Sequence, residues 1–209
     1  MGLNYNYLLY FKKEHLWDAL QGVVKIAEEF DPPPTTVHFP DRQDLVLPIM
    51  TGFGEKDEIQ HDAPEFNFAT SLIFNEDDAI LDYLSHNGDA DAYRVPPDPD
   101  GLRRVSIGFI YLTVYADLSK HYAFKKPTDL VLFSFGTTGT RMSLLFSESE
   151  SIRRTFSKLL ESFAGVIGIF DWENDYGELF WFKGKPMQVS LSNNFLLPEE
   201  IEAELKRGW

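Results

Sequence analysis

One stretch decides the fold class: NYNYLLYFKKEHLWDALQGVVKIA, residues 4–27. Residues 4–11 place apolar side chains on both faces of an extended chain, which predicts a strand in the interior of a sheet. From Glu14 the apolar spacing becomes helical, and one stripe is formed by Leu16, Ala19, Leu20, Val23, Val24 and Ala27. The change of period predicts a strand that leads directly into a helix packed on the sheet.

The same two patterns recur along the chain. Further strands are predicted at 36–39, 45–49, 66–74, 104–115, 130–135, 142–146, 166–170, 178–182 and 187–191. Further helices are predicted to begin after Asn75, at Ser147 or Ser149, and at Pro198. The strands at 130–135 and 142–146 flank the glycines of 136–139, a pattern typical of a hairpin. The chain is therefore predicted to be α+β, with a mostly antiparallel sheet and three or four helices packed on it.

Three segments align without gaps, at residues 8–10, 72–74 and 144–146. Each is predicted to be a strand that runs into an amphipathic helix and is followed by at least two more strands. One interpretation is a repeated strand-helix-strand-strand unit. The other is that any strand joined to a helix by a tight turn produces this spacing.

The length of 209 residues allows either one large domain or two small ones. We expect a single compact α+β domain over residues 1–209. The alternative is a pair of similar subdomains, 1–125 and 126–209. An aromatic fraction of 15% predicts a substantial buried core.

Composition excludes several classes of function. The chain has no cysteine, which removes disulfide scaffolds, thiolate zinc sites and cysteine nucleophiles. Its net charge of −14 argues against nucleic-acid binding, which needs a basic surface. Residues 1–11 lack the basic region of a signal peptide, and the apolar run 107–116 is too short to span a bilayer. We therefore expect a cytoplasmic protein with no membrane partner.

The negative charge is concentrated in one segment. Between Glu55 and Asp100, thirteen acids accompany only two bases, Lys56 and Arg94. The acids lie in solvated loops and on an exposed helix face under one interpretation. Under the other, they form a docking face that attracts a basic protein partner and accelerates association.

A set of candidate binding residues lies within this acidic segment: Asp57, Glu58, His61, Asp62 and Glu65. Carboxylates and imidazole bind divalent metals, but these residues lie on a predicted loop without the helical histidine spacing of a zinc motif. The loop at 136–139 lacks the lysine and the following helix of a phosphate-binding loop. The sequence therefore predicts no metal and no cofactor.

Two tryptophans add a second group of candidates. Trp172 and Trp181 belong to an aromatic series near the C-terminal end and are the best candidates there for a contact surface, with core packing as the alternative.

The leading functional hypothesis is a non-catalytic protein-binding or regulatory module, of the inhibitor or immunity type, that presents its acidic segment to a basic protein. The alternative is an enzyme or small-molecule binder with a histidine and carboxylates in a pocket between sheet and helices. Among the five histidines, His38 is the first candidate, because it lies at the end of a short predicted strand. A homodimer through an exposed strand or the tryptophan-bearing hairpins is a third hypothesis.

Overall fold

The computed structural model describes residues 2–29, 35–51, 58–86, 88, 90–124, 126–173 and 176–207. The strands are β1 (Asn6–Lys12), β2 (Thr35–His38), β3 (Leu45–Leu47), β4 (Met50–Thr51), β5 (Glu58–Gln60), β6 (Glu65–Asn75), β7 (Arg94–Val95), β8 (Arg104–Tyr115), β9 (Leu130–Gly136), β10 (Ile167–Asp171), β11 (Gly177–Phe182) and β12 (Lys185–Leu191). The helices are α1 (Leu16–Ile26), α2 (Asp78–Ser85), α3 (Thr140–Glu148), α4 (Glu150–Ser162) and α5 (Pro198–Arg207). The predicted α+β fold class is confirmed.

A large antiparallel sheet has the strand order β12-β11-β10-β1-β9-β8-β6-β4, and β7 pairs beside β8. β1 and β8 lie in its interior, as their two-sided apolar patterns predict. A second, small sheet has the order β3-β2-β5, in which β2 and β5 are parallel. β5 and the start of β6 lie within the acidic stretch that holds the candidate residues 57–65 and was predicted to be a loop.

Helices α1 to α4 cover one face of the large sheet, which we call the helix face. Their apolar stripes pack onto side chains of β1, β6, β8 and β9 in one continuous core. Phe156 of α4 lies near its centre, with its ring centroid 4.5 Å from that of Tyr7 and 4.8 Å from that of Phe135. Gly22 allows α1 to approach α4 closely, because a Cβ atom there would lie 2.4 Å from the Phe163 ring.

The opposite face of the large sheet is covered only in part. α5 and residues 118–124 pack over β1, β9, β10, β11 and β12 and enclose a second, smaller core. Phe109 and Tyr111 of β8 are exposed on this side. We call this uncovered side the open face.

The predicted hairpin at 130–146 is wrong, because residues 142–146 belong to helix α3. Met142, Leu145 and Phe146 are buried, and their spacing is that of one helical stripe, whereas Leu144 is exposed. A short apolar run does not distinguish a strand from a buried helix by periodicity alone. The correction adds a fifth helix and removes the third copy of the proposed strand-helix-strand-strand repeat.

The loop at 136–139 is therefore followed by a helix, contrary to prediction. The N-terminal segment occupies the start of that helix: Thr140 Oγ1 accepts a hydrogen bond from the Leu3 backbone N–H at 3.1 Å, and Ser143 Oγ accepts one from the Tyr5 N–H at 3.1 Å. Residues 3–5 thus pack against the start of α3 through these two hydroxyl groups.

Asp77, rather than Asn75, caps helix α2 by accepting a hydrogen bond from the Ile80 N–H at 2.9 Å. Its second oxygen accepts hydrogen bonds from Ser149 Oγ at 2.7 Å and from the Ser151 N–H at 2.9 Å, at the start of α4. One carboxylate thus joins two helix N-termini. None of the described helices combines the length and the hydropathy that a bilayer-spanning helix requires.

Candidate binding surface

The open face is organised in rows that run across the strands, because paired residues of antiparallel strands point to the same side. One row contains, in order across the sheet, Ala69, Tyr111, Gly136, Asn6 and Asp171. A second row contains Asn67, Thr113 and Ser134. We call Asn67, Ala69, Phe109, Tyr111, Thr113 and Ser134 the aromatic face.

Exposure changes sharply along the first row. Tyr111 is 51% exposed, whereas Asp171 is only 6% exposed because residues near α5 cover it. Thr113 and Ser134 are half-buried, and Thr113 donates a hydrogen bond to Asn67 Oδ1 at 2.9 Å. The aromatic face is therefore a polar and aromatic surface beside a covered apolar one.

A β-bulge in β8 lies at the end of the aromatic face. The pairing with β6 shifts where Gly108 and Phe109 meet a single residue, Ser71. Phe109 has φ 61° and is 82% exposed. A positive φ is unfavourable for a bulky residue, and bulges re-aim side chains. The strand therefore adopts a strained conformation that presents a phenylalanine to solvent.

Gly136 lies between Tyr111 and Asn6 in the first row. A Cβ atom at this position would lie 2.7 Å from Asn6 Oδ1, so a larger residue requires Asn6 to move. The space beside the Gly136 backbone is therefore occupied by the Asn6 side chain.

An aromatic cluster borders the aromatic face near Thr113. The His121 ring lies 4.5 Å from those of Tyr115 and Tyr122 and 5.1 Å from that of Phe195, measured between centroids. Burial lowers the pKa of His121, and the negative charge of Glu65 opposes that shift. Burial also raises the pKa of Tyr115, and Glu65 raises it further. This cluster is an apolar wall with a carboxylate at its edge.

Asp171 marks the boundary where the covered part begins. Its Oδ1 accepts hydrogen bonds from Asn194 Nδ2 at 2.6 Å and from the Glu173 N–H at 2.8 Å, and its Oδ2 accepts one from Asn6 Nδ2 at 3.3 Å. Burial raises the pKa of Asp171, although the donors from Glu173 and Asn6 oppose the shift. The carboxylate ties the N-terminal strand to the segment that precedes α5.

The structure does not bring the predicted acidic candidates together. Asp57 lies outside the described residues. Glu58 Oε2 lies 3.8 Å from His38 Nε2, whereas the His61 ring faces Phe39 at 5.8 Å. Glu65 pairs with Tyr115 at the edge of the aromatic face, and Asp62 is exposed nearby in sequence. Among the described residues no group of three or more His, Asp or Glu side chains is arranged to hold a metal ion.

The acidic segment between Glu55 and Asp100 is also divided in space. The 11-residue strand β6 lies in the middle of this segment. The two ends of β6 are about 35 Å apart, so this distance separates the acids before the strand from those after it. Two acids after β6 are already engaged, since Glu76 pairs with Arg94 at 2.8 Å and Asp77 caps two helices. The described acids therefore do not form one continuous face.

The two tryptophans have different positions. Trp181 is 5% exposed and donates its indole N–H to the Gly165 carbonyl at 3.0 Å, so it has almost no surface to offer a partner. Trp172 is half-buried, with its ring centroid 5.9 Å from that of Phe170.

Three histidines, His38, His61 and His86, lie in shallow surroundings, unlike the buried His121. His38 Nδ1 is 3.0 Å from Asp44 Oδ2. His61 lies in a cleft of about 180 Å³ beside Trp17 and Phe39, and His86 lies in one of about 300 Å³ between α2 and α3. His86 Nδ1 already contacts the Asp82 carbonyl at 2.8 Å.

Phe109 and Tyr111 were missed as candidates because residues 104–115 were predicted to be buried on both sides. A signal was present, since Tyr111, Thr113 and Tyr115 share one side of β8 and carry polar groups. The other side carries only aliphatic residues, Ile110, Leu112 and Val114. No protein-family model, curated protein or solved structure matches the chain.

Proposed function

We propose that the chain is a non-catalytic protein-binding or regulatory module, of the inhibitor or immunity type, that binds a basic protein through the aromatic face. The exposed Phe109 at a strained backbone position carries the proposal. A strained backbone position persists where function requires it. Core packing does not account for the strain at Phe109, because its side chain is exposed.

The chemistry of the aromatic face suits a cationic partner. Tyrosine and phenylalanine rings attract arginine and lysine side chains through their π-faces. Glu65 lies beside Tyr115 at one end, and the net charge of −14 attracts basic molecules over longer distances. The same net charge opposes self-association through this face, so we favour a different protein over a second copy.

The proposal locates this encounter in the cytoplasm. The absence of cysteine suits a reducing compartment. The partner is a protein rather than a nucleic acid, because binding along a nucleic-acid backbone needs an extended basic surface, which a net charge of −14 does not favour.

Affinity capture from the native host at low salt tests the proposal. The wild-type chain is compared with Phe109→Gly and Tyr111→Ala, and Tyr176→Ala is the matched control because Tyr176 is 62% exposed on another hairpin. We expect the wild type and Tyr176→Ala to retain a basic protein that both aromatic-face variants lose. High salt should release this protein from the wild type. Titration with the identified protein should show that each face variant binds about tenfold or more weakly.

Two results would contradict the proposal. One is that both face variants retain the same proteins as the wild type. The other is that the protein lost by the face variants is acidic. Light scattering of the purified chain tests the homodimer hypothesis, because a dimer that Tyr111→Ala dissociates would assign the aromatic face to a second copy.

A further inference from the structure

A groove lies at the edge formed by α4, the end of α1 and the adjoining ends of β6 and β8. It consists of two adjoining clefts of about 350 and 310 Å³ that share Asn75, Thr155 and Lys158 as lining residues. Small-molecule sites have volumes of about 300–1,000 Å³. The groove is therefore large enough for a ligand of nucleotide size.

The groove gathers bases in a chain that is otherwise acidic. Its lining includes five basic side chains, Lys25, Arg103, Arg104, Arg154 and Lys158. They come from α1, β8 and its preceding loop, and α4, which are distant in the sequence. Folding therefore creates a local concentration of positive charge that the sequence does not show.

Most of the carboxylates in the lining are already engaged. Glu76 pairs with Arg94 at 2.8 Å, and Asp77 accepts hydrogen bonds from both helix N-termini. Asp98 Oδ1 accepts a hydrogen bond from the Leu102 N–H at 2.8 Å. Glu150 is the remaining acid of the lining.

The basic side chains, in contrast, are mostly available. Among the described residues, no carboxylate forms an ion pair with Arg103, Arg154 or Lys158. The neighbouring Arg153 differs, since it forms a two-pronged ion pair with Glu178 at 2.6 and 3.1 Å. Arg104 uses its guanidinium to hold the Pro96 carbonyl at 2.8 Å, which leaves its charge unneutralised.

The two clefts differ in polarity. The first is lined by Arg103, Arg154 and the hydroxyls of Ser151 and Thr155. The second has an apolar part formed by Ile26, Ile73, Leu159 and Phe163. A ligand that fills both needs an anionic head and an apolar body.

We propose that this groove binds a small organic phosphate whose size is that of a nucleoside monophosphate. Guanidinium groups match phosphate oxygens with paired N–H donors, and Lys158 adds a point charge between the two clefts. The apolar body lies against Ile26, Ile73 and Phe163. This site is independent of the aromatic face and of the histidine-containing clefts.

Calorimetric titration of the full chain with adenosine 5′-monophosphate at low salt tests this proposal. We expect one site with a Kd of the order of 10–100 µM, the range that a ligand of this size reaches. Adenosine and inorganic phosphate, each of which supplies half of the ligand, should bind at least about tenfold more weakly.

Matched variants locate the site. Lys158→Met should weaken binding of adenosine monophosphate about tenfold, since it removes a charge-assisted contact. Lys185→Met is the control, because it changes the net charge equally. Lys185 lies on β12, the edge strand at the opposite end of the large sheet from β6. Both residues are exposed, so neither variant should alter folding.

Three results would overturn the proposal. The first is the absence of binding up to millimolar adenosine monophosphate. The second is equal weakening by Lys158→Met and Lys185→Met, which would indicate a diffuse charge effect. The third is inorganic phosphate binding as tightly as adenosine monophosphate, which would show that the apolar cleft contributes nothing.

Discussion

The helix face and the open face of the large sheet use the same strands in opposite ways. Leu112 of β8 is buried beneath the helices, whereas its neighbour Tyr111 points to the other side and is half exposed. Four helices exclude water from the helix face, but α5 covers only the part of the other face over β1 and β9 to β12. The larger core thus lies on one side of the sheet, whereas the other side leaves Phe109 and Tyr111 exposed to solvent.

The largest expected effect sharpens this comparison. Phe156→Ala on the helix face removes a ring that packs against Tyr7 and Phe135 in the core. We expect it to lower the free energy of unfolding by about 3–5 kcal/mol, through lost burial and the cavity left behind. Tyr111→Ala on the open face should change it by less than about 0.5 kcal/mol, as for other surface positions.

Urea denaturation of both variants beside the wild type measures these differences. The comparison of the faces fails if Tyr111→Ala destabilises the chain as strongly as Phe156→Ala. That result would mean that the open face is covered in solution.

The strands and most helices were predictable because their apolar periods are long and regular. β1 and α1 follow directly from the spacing in residues 4–27, and α5 from Pro198 and the acids that follow it. Helix α3 was not, since its stripe of Met142, Leu145 and Phe146 is too short to reveal its period. Two strands of the small sheet were predicted, at 36–39 and 45–49, but β5 was missed because its three residues lie in a polar, acidic stretch.

The candidate sites depend on features that a single sequence does not contain. Asp171 is buried beside Asn194, in the segment before α5, whereas Tyr111 in the same row remains exposed. Likewise, the groove bases come from separate elements, and their carboxylate neighbours are neutralised by distant partners such as Arg94. The acidic segment was visible in the sequence, but only the length of β6 shows that its acids are separated.

The second prediction concerns Phe109, where stability and binding are expected to oppose each other. Glycine adopts a positive φ without steric cost, so Phe109→Gly should raise the free energy of unfolding by about 1 kcal/mol. The same variant should lose the basic partner. Thermal unfolding and partner titration of one preparation measure both effects.

Phe109→Ala provides the control, since it removes the ring but keeps the positive φ of a residue with a Cβ atom. It should lose the partner without gaining stability. If Phe109→Gly destabilises the chain, the ring contributes to folding, and the division between a stabilising face and a binding face does not hold at the bulge.

The third and smallest effect concerns the boundary between the covered and uncovered parts, at Asp171. Burial raises the pKa of this carboxyl above the unfolded value of about 3.9. The folded state therefore binds the proton more tightly, and the contribution of Asp171 to stability is fully present below the unfolded pKa and is lost as the pH rises through the folded pKa. The difference in unfolding free energy between the wild type and Asp171→Asn should consequently grow in favour of the wild type as the pH falls from 7 to about 4.

Asp117→Asn gives the opposite sign and serves as the control. The hydrogen bond from Ser119 lowers the pKa of Asp117, so its contribution is present above the unfolded pKa and is lost as the pH falls through the folded pKa. Urea denaturation from pH 7 to about 4 measures the Asp171 difference, and its extension to about pH 2 to 3 measures the Asp117 difference. If the Asp171 difference does not grow at lower pH, solvent reaches that carboxyl. The covered part of the sheet would then not include Asp171.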